Sequence, residues 1–290
     1  LQLTVNIVVL ASIYALIACG YVLVYRVSRV LNLAHGELMM LGAYLLMTTA
    51  SLFNGHPILA LTVAVALSLG VGVLVYVFLM RRMTGEAVLA AVLTTVALGI
   101  LLRGVVVLFW SAQQLYPAQA LGLSNPPITL WGGGRISTWS AVLVVTTGLV
   151  YAALFIFLRF GSWGIRMRAA GQNPLLAAQR GINLHAVYAL AWGLSTLTAS
   201  VAGILIALDS GLASTMVVIG LKAFPAALVG GLDSLVGALV GSLIVAAAEV
   251  LLIQYVDPLL SDVVPFLVLV AMLVIRPWGL FGTREELDRV

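Results

Sequence analysis

The chain has 290 residues, of which 63% are hydrophobic and only 8% charged, where soluble domains carry roughly 25% charged side chains. At a mean hydropathy of +1.18, so few charges cannot solvate the surface of so apolar a chain. That excludes a soluble globular, disordered or nucleic-acid-binding protein despite a pI of about 9.5, and leaves an all-α polytopic integral membrane protein whose first partner is the lipid bilayer.

A spanning helix needs roughly 20 mostly apolar residues. In chain order, runs of that kind cover 3–25, 58–80, 87–110, 139–158, 187–208 and 236–256, with a shorter one at 263–275. Two further stretches are apolar but interrupted: 31–53 opens with Asn32, His35, Gly36 and Glu37, and 214–232 holds Lys222, Pro225 and Gly230-Gly231. Together these make about eight to nine transmembrane or half-spanning helices. Whether the interrupted stretches cross fully or form half-helices stays open. Cys19, the single cysteine, lies inside the first run as a packing residue, so no intramolecular disulfide can form. Leu1 is followed by no basic segment and cleavage site, so no signal peptide is expected, and a few preceding residues are expected to have been trimmed.

With nine crossings and the N-terminus external, Arg26, Arg29, Arg81, Arg82, Arg159, Arg166, Arg168, Arg180, Arg276, Arg284 and Arg289 all fall on one side. The excess of Arg marks that side as cytoplasmic, as expected for an inner (plasma) membrane protein. The expected organisation is a single transmembrane domain over 1–290, with an external loop at 111–138, a cytoplasmic segment at 159–186 and a cytoplasmic tail at 276–290. In the cytoplasmic segment, Asn173 is a good N-cap and Pro174 suits the first helical position. Gly181 can take the left-handed conformation that stops a helix. Between them Leu175, Leu176, Ala177, Ala178, Gln179 and Arg180 predict a helix of about two turns. Such a helix either docks a soluble partner or rests on the membrane interface.

The only lysine, Lys222, is followed by alanine, so no phosphate-binding GxxxxGK[ST] loop exists. HExxH, GxSxG and metal-spaced histidines are also missing, and the three histidines lie on separate segments. The chain is therefore not expected to be an enzyme, nor to hold a metal or cofactor. Acidic groups deep in the spans are limited to Glu37 and Glu249, thin material for an ion-coupled carrier.

Three groups of residues bear on transport. Arg103 lies ~24 Å from the cytoplasmic start of its run, Glu249 ~20 Å from its inner end, and Lys222 ~9–12 Å below the outer surface. Similar depth predicts that Glu249 neutralises Lys222 or Arg103, the alternative being cations that snorkel to the outer headgroups. Asn32, His35, Gly36 and Glu37 cannot face lipid and belong either to the translocation pathway or, for Asn32, to the cap of the following helix. Glu37 is expected near the cytoplasmic end. Ala226, Gly230, Gly237 and Gly241 repeat small-residue spacing that lets helices approach closely.

The stretches LNLAHGELMMLGAYL (31–45), RAAGQNPLLAAQRGIN (168–183), GLKAFPAALVGGLDSLVGALVG (220–241) and RPWGLFG (276–282) resemble the permease subunits of bacterial ABC importers for branched-chain amino acids, the H-type more than its M-type sister. The resemblance implies a fold of the vitamin-B12-importer kind and a working unit of two permease chains, two ATPase subunits and a periplasmic binding protein. It implies alternating access driven by ATP and Mg bound in the partners, with Asn173 to Gly181 as the coupling helix and the loop 111–138 facing the binding protein. Urea and short-amide permeases share the AHG motif and are the alternative, and a self-sufficient carrier or channel is the remaining one. Pro225 and Asp233 depart from the family pattern, and Asp233 is expected to cap the helix from 236.

Overall fold

The computed structural model describes residues 1–53, 55–130 and 132–283; Arg284 and Arg289 of the expected tail lie outside the described residues. Six helices are long and apolar enough to cross a membrane. All six match single runs: α1 (Gln2–Ser28), α3 (Pro57–Phe78, extended by a 3-10 turn to Met83), α4 (Val88–Trp110), α6 (Thr138–Phe160), α9 (Leu184–Ser210) and α11 (Leu235–Tyr255). Between α1 and α3 lies α2 (His35–Leu52). Shorter elements are α5 (Pro117–Ala120), α7 (Ser162–Gln172), α8 (Pro174–Gln179), α10 (Val217–Gly230) and α12 (Val264–Ile275).

Apolar content drives these helices into one bundle, and burial ranks them. The most apolar windows of α1 and α9 are each 72% buried, against 28% for α3, α4 and α6. Helices α1 and α9 therefore form the centre, packed on one another and on α2, α3, α10 and α11, while α4 rests chiefly on α2 at the edge. The purely helical expectation needs one amendment: the loop 111–138 contains a two-stranded antiparallel hairpin, β1 (Pro127–Thr129) with β2 (Arg135–Ser137). Asp209 at the end of α9 fastens this loop by accepting from Asn125 (2.9 Å), Ser137 (2.5 Å) and Ser140 (3.0 Å).

Of the two interrupted stretches, 31–53 is discontinuous. The His35 Nε2 donates to Ile17 O at 3.0 Å, and Ile17 lies roughly 16 Å up α1 from Ser28 by helical rise. Residues 29–34 thus climb back along α1 without helix, and α2 starts inside the bundle. Irregular backbone at this depth persists only where its polar groups find partners. Here Leu33 N donates to Thr95 Oγ1 at 3.1 Å, Ala34 N to Asn32 Oδ1 at 3.1 Å and His35 N to Asn32 O at 3.3 Å. The start of α10 meets α2 at the same level. A Cβ on Gly36 would lie 2.9 Å from Val217 O, and one on Gly220 would collide with the Gly36 backbone. With the 3-10 turn Ser214–Met216 that leads into it, α10 makes one apolar helical segment, Ser214–Gly230, of about 27 Å, a little short of a ~30 Å hydrocarbon core. Two helix N-termini therefore face each other within the bundle.

Candidate translocation site

Near the meeting point of α2 and α10, His35 is fully buried. Its ring packs on Tyr21 with centroids 4.3 Å apart and on Gly20, where a Cβ would come within 2.5 Å of it. Its Nδ1 lies 3.5 Å from Ser195 Oγ, which donates to Gly20 O at 2.8 Å. The histidine is a lock joining α1, α2 and α9, with its tautomer set by the Ile17 carbonyl. Asn32 does not cap α2: Ala34 holds that position, and Asn32 supports the turn before it. Among the described residues the buried Nδ2 of Asn32 finds no hydrogen-bond partner.

Of the two cations expected to neutralise Glu249, the structure pairs it with Lys222 and not Arg103. Glu249 (3% exposed) is paired with Lys222 Nζ through Oε1 and accepts from the Tyr14 hydroxyl through Oε2 at 2.5 Å. Asp262 Oδ1, on a side chain 72% exposed, lies 3.3 Å from the same ammonium. Arg103 does not join this cluster. It pairs with Glu37, with Nε at 3.1 Å and Nη2 at 3.0 Å from Oε1. Nor does Glu37 lie near the end of its span: a Cβ on Gly99, midway along α4, would sit 3.0 Å from its carboxyl carbon. Re-entry of residues 29–34 lifts Glu37 to that depth. Sequence reasoning missed Tyr14 and Asp262 as members of the Lys222 cluster. Tyr14 carried no signal, being one aromatic in an apolar run, and Asp262 reads as a loop acid.

Small residues meet where α10 and α11 pack: a Cβ on Gly237 would strike Gly230, and one on Gly241 would strike Ala226 and Gly230. Pro225 lies inside α10. Asp233 does not cap α11; Ser234 does, accepting from Gly237 N at 2.9 Å. Asp233 instead pairs with Arg29 at 2.8 Å and accepts from Thr283 at 2.9 Å.

On the basic face, α8 takes the form its caps dictate. Asn173 Oδ1 accepts from Leu176 N at 3.0 Å, and Pro174 starts the helix. Gly181, at φ +81, ends it with Gly181 N bonded to Ala178 O and Ile182 N to Ala177 O, the Schellman arrangement. Ala177 faces inward, whereas Leu175 and Leu176 are 70% and 55% exposed.

A bundle of apolar helices of spanning length, with two interrupted helices and ion pairs between spans, defines a multi-pass α-helical membrane protein. The profile of the family described as "Branched-chain amino acid transport system / permease component" matches residues 3–273, and the chain belongs to that family. It is 32% identical over 305 residues to the high-affinity branched-chain amino acid transport system permease protein LivH of Salmonella typhimurium, covering 100% of this chain and 97% of that one. It is 28% identical to the corresponding protein BraD of Pseudomonas aeruginosa (100% and 98% covered). A probable LivH of Methanocaldococcus jannaschii is 29% identical (95% and 90% covered). The structure of PsaBC from Streptococcus pneumoniae in complex with Fab superposes with a TM-score of 0.48 at 15% identity, covering 95% and 91%; that likeness is too weak to assign a fold.

Proposed function

We propose that the chain is the permease subunit of an ATP-driven importer of branched-chain amino acids, forming the passage with a second permease chain. The observation that carries this reading is α8, which presents Leu175 and Leu176 to solvent on the face where Arg159, Arg166, Arg168 and Arg180 gather. Exposed leucines on a rigid, doubly capped two-turn helix suit insertion into a groove of a soluble subunit. The full-length similarity to permeases named for branched-chain amino acids supports the substrate class. On this reading the basic face is cytoplasmic, and two ATPase subunits bind there and supply the nucleotide and Mg. The hairpin loop on the opposite face receives a periplasmic binding protein. Alternating access then carries the amino acid inward, and this chain hydrolyses nothing itself.

The test is reconstitution of the chain with its neighbouring permease, ATPases and binding protein, followed by uptake of labelled leucine, with urea in parallel vesicles. Leucine uptake that requires ATP and every component is the expected result. Urea uptake alone overturns the substrate, and leucine uptake by this chain without ATP overturns the mechanism.

A further inference from the structure

Within this importer reading, we propose that the Arg103–Glu37 pair is the polar recognition point for the amino acid in transit, with Arg103 receiving the α-carboxylate and Glu37 the α-ammonium. Three observations lead there. The first is depth. Gly99, against which the Glu37 carboxylate lies, is eleven residues from Val88 and eleven from Trp110 at the ends of α4, so roughly 16 Å from each. The pair therefore occupies the middle of the span.

The second is exposure. The Arg103 side chain is 56% exposed, while Glu37 is 9% exposed. A guanidinium at mid-span costs about 2.5–3.5 kcal/mol or more against lipid and normally faces protein or a wet cavity. Snorkelling does not resolve this. In a helix each Cα–Cβ bond tilts toward the N-terminal end, so Arg103 reaches back from its own position toward Gly99 and the middle. Among the described residues its polar contacts go to Glu37 and none toward the Trp110 end. Helix α4 rests on the bundle mainly through α2, which leaves the outer side of Arg103 uncovered. That side is the wall of the passage, facing the second permease.

The third is chemical complementarity. Arg103 spends Nε and Nη2 on a single oxygen, Glu37 Oε1. Among the described residues no hydrogen bond engages Nη1 or Glu37 Oε2. A guanidinium edge and a carboxylate oxygen side by side match the two charges of a zwitterionic amino acid, and the guanidinium binds carboxylates in a forked geometry. Glu37 also stands in the first turn of α2, where the positive helix end helps hold its charge. The signs of charge order the two contacts: carboxylate on Arg103, ammonium on Glu37. The Lys222–Glu249 pair offers no such edge, being enclosed by Tyr14 and Asp262.

The test uses the complete importer in vesicles. A Val107→Cys chain, with its thiol one helical turn from an intact Arg103 on an exposed position of α4, is treated with a membrane-impermeant cationic methanethiosulfonate; the native thiol, Cys19, is fully buried, and the parent complex sets the background. Labelling that saturating leucine suppresses is expected, together with leucine uptake reduced at least tenfold in Arg103→Ala and partly restored in Arg103→Lys. A thiol that reacts only with an apolar maleimide lies in lipid and overturns the proposal, as does labelling that leucine leaves unchanged. Failure of the importer reading is separate: the parent vesicles then take up no leucine, whatever the thiol does.

Discussion

Removing Lys222 should damage the fold more than removing Glu249, and removing both should damage it less than removing Lys222 alone. Lys222→Met leaves the Glu249 carboxylate, 3% exposed, with only the Tyr14 hydroxyl at 2.5 Å. Stripping one partner from a buried pair costs about 3–5 kcal/mol, a large share of a typical stability of about 5–15 kcal/mol. Glu249→Gln is milder, because Lys222 keeps Asp262 at 3.3 Å and that carboxylate is 72% exposed. A pair half in solvent is weaker, so this substitution falls below the Lys222 loss, at roughly 1–3 kcal/mol. In the Lys222→Met/Glu249→Leu double variant no uncompensated charge remains, and apolar replacement of a buried pair is commonly neutral to within a few kcal/mol. Unfolding in mixed micelles by titration with a denaturing detergent measures each variant against the parent. With Glu249→Leu measured as the matching single variant, the summed losses of Lys222→Met and Glu249→Leu should exceed the double loss by well over ~0.5 kcal/mol, the scatter expected of independent sites. Additive losses would refute the pairing and the energetic argument together.

Two further expectations concern contact surfaces. Replacing Leu175 and Leu176 with Asp should leave the chain inserted and folded, since both side chains are exposed, yet abolish ATP-dependent uptake in the reconstituted complex; unchanged uptake removes α8 as the coupling contact. Gly220→Ala should lower stability by about 1–3 kcal/mol, because its Cβ would collide with the Gly36 backbone where α2 and α10 begin; a neutral result in the same detergent titration would mean that the two N-termini do not touch.

The spans were legible because a run of some 20 apolar residues has few places to go besides the hydrocarbon. The α8 helix was legible for a different reason: Asn173, Pro174 and Gly181 act on neighbouring backbone, so their effect needs no knowledge of the fold. The depth of Glu37 was not legible. Hydropathy reads 31–53 as one run and counts Glu37 from its edge, whereas residues 29–34 re-enter along α1 before helix begins. Choosing between Glu37 and Glu249 as the partner of Arg103 required knowing that α4 lies against α2, a tertiary fact. Asp233 was expected to cap α11 and its neighbour Ser234 does so; both residue types cap well, and Arg29, from a distant part of the chain, engages Asp233 instead. The hairpin in the loop 111–138 has strands of three residues, too short for alternation to show.

Two oppositely charged pairs inside one bundle invite the same explanation, but their surroundings separate them. Lys222 and Glu249 are 11% and 3% exposed and bridge α10 to α11, with Tyr14 tying in α1. Arg103 is 56% exposed and ties an edge helix to the first turn of α2. Charge that is sealed in protein can be replaced by volume, because its work is to hold helices together. Charge that opens on a passage cannot, because its work is done on a molecule that comes and goes. Apolar double substitution distinguishes them. Lys222→Met/Glu249→Leu should retain leucine uptake along with the fold, whereas Arg103→Leu/Glu37→Leu should retain the fold and lose uptake. Comparable uptake from the two double variants, measured in the same vesicles at matched insertion, would show that the difference in exposure carries no functional meaning.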